Sequence, residues 1–196
     1  MKPLSTKPQK IVGNWAGGYS LDQHILSSEF VGCSAAGRPE FDSTRTEVGE
    51  ALYQLKYGSG DRSEVIKLAV TAASFVTRWK VKIDVVVPMP PSKPRSVQPV
   101  QAVARELATQ LGIDFVKDAV VRIKAIPELK NVEVAKRQKL LEGAHKVDPS
   151  RISGRSVLLL DDLFQTGATM SAVTAILRAK GGATKVYALA LTRTKR

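Results

Sequence analysis

The stretch Val157-Leu158-Leu159-Leu160-Asp161-Asp162-Leu163-Phe164-Gln165-Thr166-Gly167-Ala168-Thr169 is an apolar run, then two adjacent carboxylates, then a short polar loop. Four apolar residues in succession suit a strand buried on both faces, as in a parallel sheet covered by helices. From Thr169 to Lys180 the period changes to that of a helix, with Val173, Ile176 and Leu177 on one side and a stop at Gly181-Gly182. In an open α/β sheet, ligands bind where such strands end and their loops begin. The start of the helix offers unpaired N–H groups and a positive dipole end, which suit a phosphate. Gly167 allows close approach of the backbone, and the hydroxyls of Thr166 and Thr169 add hydrogen bonds. Two carboxylates repel a phosphate, but they accept hydrogen bonds from vicinal sugar hydroxyls, or hold a cation through water. A ribose 5-phosphate meets both demands. Read alone, Asp161 and Asp162 also fit residues that end a strand, and Thr169 an ordinary N-cap.

Outward from this stretch the alternation continues. Ile83 to Val87 is a β-branched run ending in Pro88, and Val97, Val100, Ala104, Leu107 and Leu111 mark a helix with Pro99 in its first turn and Gly112 as its stop. Phe115 to Ile123 predicts a further strand, and Val186 to Leu191 a last one. Residues 124–147 are basic and weakly patterned, with a short helix expected near 132–141. Upstream, Val48, Leu52 and Leu55 share a helical face that Gly58-Ser59-Gly60 ends, and Asp61 with Glu64 opens a second helix. Strands alternating with helices define a parallel α/β sheet flanked by helices. Residues 1–45, punctuated by Pro3, Pro8, Gly13, Gly17, Gly18, Gly32, Gly37 and Pro39, read as an irregular N-terminal segment, so the expected division is 1–45 and a core of 46–196.

The 196 residues are 43% hydrophobic and 24% charged, as in one soluble globular domain. No apolar run reaches the ~18–20 residues of a membrane span, so no membrane association is expected. Lys2, Lys7 and Lys10 are not followed by a signal-type apolar stretch, and a cytoplasmic location is expected. One cysteine, Cys33, and two histidines, His24 and His145, give neither an internal disulfide nor a zinc-ligand pattern, and no metal-ligating residue is assigned. Thirty Lys and Arg against 18 Asp and Glu give a net charge of +12, which attracts polyanions from nucleic acid to phosphorylated small molecules. With no base-reading motif in view, nucleic-acid binding is expected to be weak, non-specific and steeply salt-dependent. A complex that survives high salt or discriminates between sequences in a titration would contradict this.

The segment 157–169 closely resembles the 5-phosphoribosyl-1-pyrophosphate (PRPP) motif of type I phosphoribosyltransferases: an apolar strand, two acids, a short variable stretch, then Thr-Gly-x-Thr. Leu55-Lys56-Tyr57 with Gly60-Asp61, Val87-Pro88-Met89-Pro90, and Arg137 leading to Glu142-Gly143-Ala144 resemble the ComF (competence protein F) branch. That branch commonly begins with a cysteine-rich zinc module, which one cysteine cannot supply. The resemblance implies a type I fold in which residues 1–45 form a hood over the site. It implies PRPP held by Asp161, Asp162, Gln165, Thr166, Gly167, Ala168 and Thr169, with pyrophosphate against Met89, Pro90, Pro91, Ser92 and Lys93. Residues 124–147 would be a closing loop, with Lys130 and Arg137 joining Asp161 and Asp162 in catalysis. Mg2+ would accompany PRPP, and the acceptor would be a nucleobase-like nitrogen compound. A homodimer is compatible with it, as are a PRPP-binding regulator without turnover and an accessory protein of single-stranded DNA. Where the hypoxanthine–guanine branch has an acid before its Thr-Gly pair, this chain has Gln165. Phe164 is expected in packing or beside the acceptor.

Overall fold

The structure is a computed structural model that describes residues 1–34, 36–58, 60–91, 98–124 and 143–194. Its centre is a sheet of six strands in the order β1 (Gln9–Lys10), β2 (Gly17–Gln23), β10 (Lys185–Arg193), β9 (Ser156–Phe164), β5 (Val85–Pro88) and β6 (Asp114–Phe115). Only the β1–β2 pair is antiparallel. Two small antiparallel sheets stand apart: the hairpin β3 (Ile25–Cys33)–β4 (Pro39–Arg45), and β7 (Val120–Arg122) with β8 (His145–Val147). Helices α1 (Glu47–Tyr57), α2 (Arg62–Trp79) and α3 (Pro99–Leu111) cover one face of the central sheet, and α4 (Ala168–Ala179) the other.

The alternation of side chains along β9 explains its unbroken apolar run. Val157 and Leu159 pack with Met170, Val173 and Leu177 of α4. Leu158 and Leu160 pack with Leu52 and Leu55 of α1, Leu68 of α2 and Leu107 of α3. All four are fully buried, each worth roughly 1.5–3 kcal/mol.

The helix ends follow their local chemistry. Thr46 caps α1, its Oγ1 accepting from Gly49 N at 2.9 Å while donating to Gln23 O at 2.6 Å, so one hydroxyl ties the helix to the end of β2. Asp61 caps α2 by accepting from Ser63 N at 3.1 Å. Pro99 opens α3, and Gly112, at φ 66°, closes it in the left-handed region.

Three expectations need correction. Residues 1–45 do not fold as one irregular segment. Gly17–Gln23 is a strand of the central sheet, parallel to β10, because Leu21 fills the core beneath α1 while Ser20 and Asp22 are also buried. Only the β3–β4 hairpin stands away from the sheet. The expected strand 115–123 is two strands in two sheets, separated by a turn at residues 117–118. Finally β9 does not stop before the acids: Asp161, Leu163 and Phe164 stay in register with Ala190, Thr192 and Arg193 of β10. The helix expected near 132–141 lies outside the described residues.

Candidate functional site

Asp161 and Asp162 are the strand residues that emerge at the carboxyl end of β9, one on each face of the sheet. Asp161 continues the face of Leu159, toward α4; Asp162 continues that of Leu160, toward α1. Asp161 Oδ1 accepts a hydrogen bond from Asp162 N at 2.9 Å. Asp162 Oδ2 lies 2.5 Å from Lys56 Nζ, with side-chain exposures of 24% and 15%, so this ion pair is largely withdrawn from water. Below it, Thr192 Oγ1 donates to Asp162 O at 2.8 Å and sits 3.3 Å from His24 Nδ1.

Burial, reinforced by the neighbouring Asp162 charge, pushes the Asp161 carboxyl up to about 7; the Asp162 N–H and Lys56 offset this only in part. His24 is pushed down from its ordinary value, first by burial and then by the Lys56 and Arg45 charges. The site therefore holds an ion-paired carboxylate beside one poised to titrate near neutrality, a combination typical of ligand-binding and reactive centres.

Beyond the acids, Gln165 and Thr166 are exposed, and Gly167 adopts φ 76° and ψ 3° as the residue from which α4 departs. No side chain caps this terminus, so its first-turn N–H groups face a ligand position without a competing side-chain acceptor. Beneath the loop, Phe164 is 5% exposed and meets Trp15 edge-on at 6.2 Å. It is a packing residue of the loop and does not face the cleft.

A cleft of about 300 Å³ joins these parts. Asp161, Asp162 and Thr169 form one wall, Lys56 another, and Met89, Pro90 and Pro91 from the end of β5 a third. Arg122 of β7 also lines it, together with Gln98, the N-cap of α3, and Gln101 within that helix. Arg122 Nε is buried without a hydrogen-bond partner, as is Nε2 of His145, its register partner across β7–β8. Burial lowers the affinity of both groups for their protons, and at His145 the Arg122 charge adds to it.

The structure thus brings together Asp161, Asp162, Thr169, Met89, Pro90 and Pro91, with Gln165, Thr166, Gly167 and Ala168 on the adjoining loop and helix start. Ser92, Lys93, Lys130 and Arg137 lie outside the described residues. Lys56 and Arg122 were not anticipated, because each comes from an element whose approach to β9 is a tertiary event. Among the described residues, no group of three or more His, Cys, Asp or Glu is gathered as a metal would require. No described helix is long and apolar enough to cross a membrane.

A mostly parallel sheet whose strand end carries two carboxylates, beside a helix start without a side-chain cap, is an arrangement that can accept hydrogen bonds from hydroxyls and donate them to an anion. The phosphoribosyl transferase domain family matches residues 63–195, more than half of the chain, and the chain belongs to that family. Ribose-phosphate pyrophosphokinase of Pyrococcus furiosus is 32% identical over 108 residues, 51% of this chain and 38% of that protein, so the chain spans well under half of that relative. The adenine phosphoribosyltransferase of Trypanosoma brucei, solved with AMP, pyrophosphate and ribose-5-phosphate, is 16% identical with a TM-score of 0.53, covering 94% of this chain and 73% of that one. It shares the fold. The adenine phosphoribosyltransferase of Saccharomyces cerevisiae is 14% identical with a TM-score of 0.48, covering 86% and 85%.

Proposed function

We propose that this protein binds PRPP in the β9–α4 cleft and transfers its phosphoribosyl group to a nitrogen acceptor, releasing pyrophosphate. The observation that carries this reading is the convergence of Asp161, Asp162 and the uncapped start of α4 on one cleft. Asp161 and Asp162 would receive the two ring hydroxyls of the ribose, one from each face of the strand end. Thr166, Gly167, Ala168 and Thr169 would hold the 5-phosphate through backbone N–H groups and two hydroxyls, with Gln165 at the edge of the loop. Met89, Pro90 and Pro91, with Ser92 and Lys93, would border the pyrophosphate. Arg122 supplies a guanidinium from the opposite wall.

In the reaction the acceptor nitrogen forms a bond to C1′ as the C1′–oxygen bond to pyrophosphate breaks; the electron pair leaves with the pyrophosphate, and the acceptor's N–H proton passes to water or to a pyrophosphate oxygen. The ring becomes oxocarbenium-like, and the acidic pair would favour that positive charge electrostatically. His145–Val147, expected within the closing loop, form β8 instead; Lys130 and Arg137, which lie outside the described residues, are proposed to meet the charge of the leaving group. Mg2+ would be held by the carboxylates of Asp161 and Asp162 through water together with the ligand's phosphates, and would neutralise pyrophosphate charge. The Leu55-Lys56-Tyr57 and Val87-Pro88-Met89-Pro90 patterns support the ComF-like branch, with the β3–β4 hairpin in the hood role. Screening nucleobases for pyrophosphate release in the presence of PRPP and Mg2+ tests transfer. PRPP binding without release for every acceptor would favour the regulator.

Asp161 sets a pH dependence. As a carboxylate it accepts a ribose hydroxyl in a stronger, charge-assisted bond than its protonated form can offer, so PRPP affinity is expected to rise from pH 6 to pH 8 in calorimetric titrations. A flat profile would remove Asp161 from the ribose contacts. Stability runs the other way. The folded value of about 7 stands above the reference 3.8, so the contribution of Asp161 is fully present below pH 3.8 and is lost as pH rises through 7. Asp161→Asn should therefore gain stability over the wild type increasingly from pH 4 to pH 8, reaching on the order of 2–4 kcal/mol in urea unfolding at the upper end.

Gln165 limits the acceptor. An amide has no pKa near neutrality and cannot exchange a proton with a purine ring, a step typically worth ~10²–10⁴-fold. Little or no conversion of hypoxanthine or guanine is expected. Efficient conversion, with Gln165→Ala leaving the rate untouched, would refute this.

A further inference from the structure

Lys56 belongs to α1, ahead of the matched segment 63–195, yet its ammonium reaches the acidic pair. Two carboxylates on adjacent residues at the carboxyl end of β9 repel one another, and burial disfavours the charge of Asp161. The surrounding charged groups can be taken element by element. Between β2 and β3, His24 is pushed toward its neutral form by burial and by two cations. At the end of β4, Arg45 is turned to Glu50 at 3.5 Å and lies over the Tyr53 ring at 3.8 Å. On β7, Arg122 stands across the cleft. From the last turn of α1, where the helix dipole favours a cation, Lys56 makes direct contact with Asp162.

We propose that Lys56 is a positioning residue for the sugar-binding carboxylates: its ion pair aims the Asp162 side chain and keeps it an anion beside Asp161. The pair then meets a ligand with one carboxylate already charged and oriented. This rests on the reading that the pair receives the ribose hydroxyls. It gives α1, through Thr46 and the packing of Leu52 and Leu55 under β9, a part in the site.

The test uses Lys56→Gln and Lys56→Arg in the full chain, with two readouts. In the ligand-free protein, carboxyl 13C resonances of Asp161 and Asp162 are followed with pH. With Gln at position 56, the pair should take up its proton at least about one pH unit higher than in the wild type, and Arg should restore the original titration. Superimposable titrations of the wild type and Lys56→Gln would overturn the proposal. In the second readout, PRPP affinity is measured across pH 6–9. Lys56→Gln should lose about fivefold at pH 7 and nearly tenfold at pH 6, and recover by pH 9, matching a shift of one unit, while Lys56→Arg stays near wild type. A loss equal at every pH, without rescue by Arg, would make Lys56 a direct ligand contact and overturn the proposal. A gain in affinity would overturn it too, by showing that Lys56 competes for Asp162. If the wild type binds no PRPP, the ribose reading fails, while the ligand-free titration still decides the role of Lys56.

Discussion

PRPP binding is expected to fall by about 10²–10⁴-fold in the double variant Asp161→Asn, Asp162→Asn, measured by calorimetry at pH 8 with Mg2+ present. The estimate takes two charge-assisted hydrogen bonds at roughly 1.5–3 kcal/mol each. Asparagine keeps the shape and leaves a carbonyl acceptor, so the loss reports charge more than contact. The fold should survive. Asp161 is an acid whose ionised form is disfavoured where it stands, and neutralising it removes that cost. The substitution at Asp162 acts in the opposite sense, because Lys56 then keeps a half-buried ammonium without its anion. A melting temperature near that of the wild type, combined with lost binding, is the expected pair of results. Affinity within threefold of wild type would dismiss the acidic pair as the sugar site.

Gly167→Ala is expected to damage binding and stability together. At φ 76° an L side chain is strained by about 1–2 kcal/mol. The added Cβ would also lie 2.7 Å from Phe164 Cε2 and 3.0 Å from its Cζ. Phe164 is buried and held by Trp15, so it has little room to yield, and the loop would have to move instead. A loss on the order of 2–4 kcal/mol is expected in urea unfolding, in the range of overpacked buried sites with added backbone strain. Because the same loop starts α4, ribose 5-phosphate affinity should drop more than tenfold, each phosphate N–H contact being worth about 1.5–3 kcal/mol. Wild-type stability and affinity in this variant would show that the loop accommodates a side chain and does not approach the phosphate closely.

The parts legible in the sequence are those governed by neighbours along the chain. Val157 to Leu160 announced a strand buried on both faces, because four apolar residues in succession can be satisfied only between two layers of helices. The change from an unbroken apolar run to a period of 3.6 beyond Gly167 marked the loop and helix start proposed to hold a phosphate, and the adjacent acids marked the end proposed to hold the sugar. Pro99, Gly112 and Asp61 marked helix boundaries through dihedral preference and capping, which are local effects.

Less of the N-terminal third could be read. Glycines and prolines made residues 1–45 look irregular, but Gly17 and Gly18 lie at the start of β2 against the side chains of Trp79, Trp15 and Ile11, where a Cβ would crowd them. That use of glycine depends on rings brought in from elsewhere. The extension of β9 through its acids was hidden for a similar reason. Its carboxylates argued for a loop, and the ladder to β10 overrode them.

By itself, then, the sequence determined the α/β class and the strand–acid–loop–helix unit, since each follows from periodicity, capping and charge within a few residues. Tertiary structure alone decided that β2 joins the sheet, that Asp161 and Asp162 face opposite sides of it, and that Lys56 and Arg122 complete the cleft. Those outcomes depend on which helix packs over which face. Lys56 lies 106 positions from Asp162 along the chain, and only the burial of α1 against Leu160 brings its ammonium to that carboxylate.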